Sequence, residues 1–170
     1  MSRAKRLGAI AASALVSATA LCAVGAAPAS ASCASDVVVA VSGKYVFLWD
    51  GVTWWHDGPG GTITGQVQQT RTISSTISYG ADITMSDLIS SVKASISGSA
   101  TNSVATTLGH TYTHAIPSNA YGNLKYGAWG YNVTWKKEYR HSNCTITVLG
   151  QGTGTVPTVA TGWYYYSTSS

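Results

Sequence analysis

The chain has 170 residues, ten of them basic and six acidic. Arg3, Lys5 and Arg6 lie in the first 31 positions and no acid does, so residues 32–170 carry seven basic against six acidic groups, a formal net of +1. That excludes a basic patch dense enough to hold nucleic acid, and no stretch beyond residue 31 is apolar and long enough to span a bilayer as a helix.

Residues 1–31 read as a secretory signal. A basic start precedes the Ala-rich apolar stretch Leu7–Val24, and Ala29-Ser30-Ala31 supplies the small residues of a cleavage site before Ser32. The expected product is a secreted, extracellular protein of one domain, residues 32–170. All six Trp and all ten Tyr fall in it, among abundant Ser, Thr and Gly, a composition that favours β-structure.

Along the chain, Asp36–Trp49 places Val37, Val39, Val41, Tyr45, Phe47 and Trp49 on one strand face. Asp50-Gly51 is a turn signal before the short strand 52–56, so a hairpin is expected there. Asp57–Gly61 breaks the pattern. Residues 62–79 alternate again, with Thr70, Thr72, Ser74, Thr76 and Ser78 opposite Ile73, Ile77 and Tyr79.

Residues 82–96 have two readings. Leu88, Ile89, Val92 and Ile96 fit a short helix over about 86–96 with Ser86 as N-cap, and they equally fit the tip of a hairpin. In the second reading 92–116 is one very long strand, with hydroxyls at Ser95, Ser97, Ser99, Thr101, Ser103, Thr107, Thr111 and Thr113. Such a strand would reach about 80 Å. After the loop at Ile116-Pro117, residues 123–140 form a strand with Trp129, Tyr131, Val133, Trp135 and Tyr139 on one face. Strands follow at 144–149 and 156–166, separated by a Gly-rich turn at 150–154.

Of three cysteines, Cys22 leaves with the signal, and export favours a disulfide between Cys33 and Cys144. No motif for nucleophilic hydrolysis or metal-dependent proteolysis occurs. His110 and His114 lie four apart in GHTYTH, which on a strand separates them by roughly 13 Å, too far for one ion. Asp50 and Asp57 flank Trp54-Trp55-His56, but both sit in turn signals. No catalytic residue, metal or cofactor is assigned. Trp49, Trp54, Trp55, Trp129, Tyr131 and Trp135 are candidates for stacking against glycan, set against the alternative that they are core.

The hydroxyl alternation at 70–78 and 95–113, the segment between, Ile116-Pro117 and the aromatic strand that follows resemble the aerolysin-like β-pore-forming module. The chain also resembles small exported β-proteins of high-GC Gram-positive bacteria. The first resemblance implies that 67–116 holds an insertion hairpin, with Ile73, Ile77, Leu88, Val92 and Ile96 facing lipid and the hydroxyls facing water. It also implies a monomer in solution that oligomerises on a membrane.

The sequence therefore predicts an all-β, elongated antiparallel sheet or sandwich with long Ser/Thr-rich strands and room for one short helix. The leading functional expectation is a membrane-active pore former or a non-lytic relative. The alternative is a non-catalytic cell-surface protein that binds glycan or self-assembles.

Overall fold

The computed structural model describes residues 33–78 and 83–169; the expected signal lies outside them. The described residues are all-β, with one short helix and a principal antiparallel sheet. The sheet is built on three long strands: β1 (Asp36–Asp57), β7 (Ala120–Arg140) and β8 (Ile146–Ser169). At about 3.3 Å per residue each is of order 70 Å long. The short β4 (Thr76–Ser78) completes the order β1-β7-β8-β4. Two small sheets stand apart from it. One pairs β2 (Thr62–Gln66) with β6 (Thr111–Ala115), and the other pairs β3 (Thr72–Ser74) with β5 (Ser103–Ala105).

The long strands are thus not those that the hydroxyl alternation indicated. Residues 92–116 do not form one strand. Val92–Ser95 end helix α1 (Met85–Ser95), and β5 and β6 take only eight of the remaining residues. Val92 and Ile96 satisfy a two-residue period, but with Leu88 they also satisfy i, i+4, i+8, and the helical period wins because a cap starts the helix. Thr84, not Ser86, is that N-cap. Its Oγ1 accepts from the Asp87 amide at 3.1 Å, while the Thr84 amide donates to Asp87 Oδ2 at 3.0 Å, a reciprocal capping box.

Those hydrogen bonds, the backbone one first, hold the Asp87 carboxyl below its ordinary range. A lowered folded-state pKa contributes stability above the unfolded value, and that contribution is lost as pH falls through the folded value. The helical circular-dichroism signal should therefore weaken from about pH 4 downward. In Asp87→Asn that acid-dependent component should be missing.

Two other expectations change. Asp50-Gly51 does not close a hairpin, because both arms pair with β7: Trp49 faces Gly127 and Trp54 faces Lys125. The extra residues form a bulge. Asp50 Oδ1 accepts from the amides of Val52 (2.9 Å) and Thr53 (2.7 Å), and Gly51 has φ +82°. The glycines of 150–154 likewise make no turn. They run within β8, where Gly154 lies against the Thr76 carbonyl of β4.

Every register irregularity inserts residues into β1 or β8, and β7 runs without a break. Side-chain parity along β7 therefore labels the two faces of the sheet. In the first core, odd-numbered Val133 and Trp135 pack with Val156 against Leu88 and Val92 of α1, with Val39, Val41 and Tyr131 alongside. In the second, even-numbered Leu124 packs with Ile63, Ile116, Trp55, Trp163 and Tyr165. The cores lie on opposite faces at opposite ends of one sheet. Each leaves the other half of its own face without that cover.

Candidate functional site: an aromatic half-face of the long sheet

On the face that α1 covers at one end, the odd-numbered side chains of β7 continue past the helix as Tyr131, Trp129, Lys125, Asn123 and Tyr121. Antiparallel partners share a face, so β1 adds Tyr45, Phe47 and Trp49 and, beyond the bulge, Trp54 and His56. From β8 come Tyr164 opposite Lys125 and Tyr166 opposite Asn123. One half-face thus carries a strip of rings drawn from three adjacent strands.

The rings brace one another. Tyr45 stacks on Trp129 at 5.5 Å between centroids, and Phe47 stacks on Tyr164 at 5.1 Å and meets Trp129 edge-on at 5.2 Å. Lys125 Nζ sits 4.8 Å from the Trp49 centroid and 5.4 Å from that of Tyr166, a cation held between two ring faces. Farther along, His56 stacks on Tyr121 and pairs through Nδ1 with Asn123 Oδ1 at 2.9 Å.

This is not core. Trp54 is 53% exposed, Tyr45 52%, Trp49 42% and Tyr164 40%. An open groove of about 430 Å³ runs between Tyr45, Phe47, Trp49, Lys125, Trp129 and Tyr164. A smaller recess of about 190 Å³ flanks the strip, where Trp54 and Trp55 meet Gln66, Gln68 and Gln69. Rings beside amides and one cation offer stacking surfaces with hydrogen-bonding groups at their margin.

The aromatic residues named from sequence therefore divide. Trp49, Trp54, Trp129 and Tyr131 belong to the strip. Trp55 points to the opposite face and packs on the second core, and Trp135 is fully buried in the first. Sequence reasoning missed Tyr45, Phe47, Lys125 and Tyr164 as site residues. The parity of β1 did place its three rings together, but the open face beneath them follows only from where α1 ends.

The residues named for insertion lie within the packed fold. Leu88 and Val92 are fully buried, Ile77 and Ile96 pack against the same core, and Ile73 is buried opposite Val104 in the β3–β5 pair. Both aspartates near the tryptophans have conformational roles. Asp50 holds the bulge, and Asp57 Oδ1 accepts from the Gly58 amide at 2.8 Å. His110 pairs with Tyr126 Oη at 3.0 Å, while His114 lies against the Tyr165 ring. Among the described residues no three His, Cys, Asp or Glu side chains converge as a metal site, and no helix is long and apolar enough to cross a membrane. Cys33 and Cys144 are joined as a disulfide.

No protein-family model and no curated protein matches this sequence.

Proposed function

We propose that this chain is a secreted, non-catalytic surface-binding protein that lays a carbohydrate chain along the aromatic half-face. The observation that supports this reading is the exposure of Tyr45, Trp49, Trp54 and Tyr164 on one side of a sheet whose cores lie elsewhere. Sugar rings present C–H faces to aromatic planes and hydroxyls to the polar groups around them. Lys125, His56 and the three glutamines are the polar groups available here, while buried Asn123 holds the His56 ring. A strip crossing three strands suits a linear polymer better than a single sugar.

Retention on insoluble peptidoglycan, chitin and cellulose tests the reading. The native protein should bind at least one of them. Trp49→Ala and Tyr164→Ala should each raise the apparent Kd by about tenfold, equivalent to roughly 1.4 kcal/mol. Trp55→Phe, on the other face, should not. Absence of retention on all three polymers would overturn the proposal.

The aerolysin-like reading is a second proposal, supported by a different observation. Apart from β4 and an isolated bridge from Ala100 to Thr158, the described residues of 62–116 take no part in the principal sheet and are folded beside it as short pieces. Its mechanism requires α1, Ile77 and Ile96 to leave the first core before a hairpin can form. Dose-dependent dye release from liposomes, with SDS-resistant oligomers, is its expected result. No release from neutral, anionic or sterol-containing vesicles would count against it.

A further inference from the structure

β1 is the terminal strand of the principal sheet, and among the described residues no strand pairs with its outer edge. From Asp36 to Trp49 its register with β7 runs without interruption. This stretch, DVVVAVSGKYVFLW, holds no proline, no bulge and only two charges, Asp36 and Lys44. Soluble proteins usually protect such an edge with charge, proline, a bulge or a covering element. The opposite side of the sheet is protected in this way only along Thr153–Thr158 of β8. β4 pairs with β8 at Thr153–Thr155, Ala100 bridges to Thr158, and Pro157 lies between them.

The two charges on β1 indicate what covers it. In an antiparallel pair of identical strands related by a two-fold axis, facing residue numbers have a constant sum. With the axis at Ala40, Asp36 of each copy faces Lys44 of the other, and the complementary charge pair forms twice. Val39 then faces Val41 twice. Moving the axis one residue either way leaves both charges opposite neutral residues. This register also keeps odd-numbered side chains facing odd-numbered ones. The helix-covered faces of the two copies then lie on the same side of one continuous sheet.

We infer that the edge Asp36–Lys44 is a homodimer interface, formed by antiparallel pairing of β1 with β1 of a second copy about Ala40. The inference is independent of carbohydrate binding, because residues 45–49 lie beyond the paired segment. It replaces the expectation of a monomer in solution. The symmetry makes the contact isologous and closed, so the assembly stops at two copies rather than growing into a fibre.

Sedimentation velocity of the oxidised protein across the micromolar range tests it. A concentration-dependent dimer is expected. Ala40→Glu puts two carboxylates together on the axis, while within each chain the new side chain faces Lys136, a favourable pair that preserves the monomer. This variant should sediment as a monomer with an unchanged circular-dichroism spectrum.

Charge reversal tests the register itself. Asp36→Lys and Lys44→Asp should each raise the dimer Kd by about tenfold, and the double variant should restore it. A protein monomeric at every concentration overturns the inference, as does a dimer indifferent to Ala40→Glu. Single reversals whose effects add in the double variant overturn the Ala40 register.

Discussion

Trp135→Ala is expected to destabilise the protein by about 3–5 kcal/mol, a large part of the 5–15 kcal/mol that holds a typical domain folded. Trp135 is fully buried and faces Val41 of β1 across one ladder and Gly152 of β8 across the other. It belongs to the core that fixes α1 to the sheet through Leu88 and Val92. Removing the indole leaves a cavity under the helix, and flanking β-strands cannot close over it without breaking their ladders. Trp135→Phe is the informative control. The indole Nε1 is buried with no hydrogen-bond partner, so phenylalanine removes an unsatisfied donor while keeping most of the apolar volume. Urea midpoints should fall much further for the alanine variant than for the phenylalanine one. Equal losses would mean that the ring's fit, rather than its volume, dominates.

The same core reassigns a test of pore formation. Aspartate at Ile77 and Ile96 suits a search for lipid-facing positions only if the fold tolerates it. Both side chains pack against the first core, so carboxylates there would be brought among apolar groups. Loss of leakage in such variants would report unfolding as readily as failed insertion. A membrane assay must therefore rest on variants whose melting is unchanged, such as substitutions at exposed Leu108.

What was legible in the sequence followed from side-chain period where that period had one interpretation. The strand 123–140 is β7 within a few residues, because Trp129, Tyr131, Val133 and Trp135 alternate with Asn132, Thr134 and Lys136 over too long a run to fit a helix. The Cys33–Cys144 link followed from export and arithmetic. The hydroxyl alternation misled because Ser and Thr are compatible with strands, caps and turns alike. Thr84 caps a helix, Thr76 pairs with Thr155 across a ladder, and Ser97 bonds Ser99 in a turn. The Gly-rich 150–154 resembled a turn, yet glycine was needed where β4 and α1 approach β8. The aromatic site was half legible. Parity grouped its rings, but exposure depends on which half of a face a helix happens to cover, and no local pattern encodes that.

Breaking the Cys33–Cys144 disulfide should have the other large effect. The bond spans 111 residues, and the chain-entropy account assigns a loop of that size about 4–5 kcal/mol, acting by restricting the unfolded state. Cys144 lies in the turn between β7 and β8 with φ +66°, and the Cys33 amide donates to the Ser142 carbonyl at 3.2 Å. The bond therefore pins the start of β1 to the β7–β8 turn, three residues before Asp36 faces Arg140. In Cys33→Ser/Cys144→Ser, the midpoint of urea unfolding should drop by an amount corresponding to most of that value. Amide exchange should accelerate first at Asp36–Ala40, which loses its tether and, among the described residues, has no strand on its outer side. If β1 pairs with a second copy through this segment, dimerisation and the disulfide stabilise the same residues. The loss should then shrink as protein concentration rises. A loss independent of concentration would place the disulfide's effect wholly in the unfolded chain and separate it from the interface.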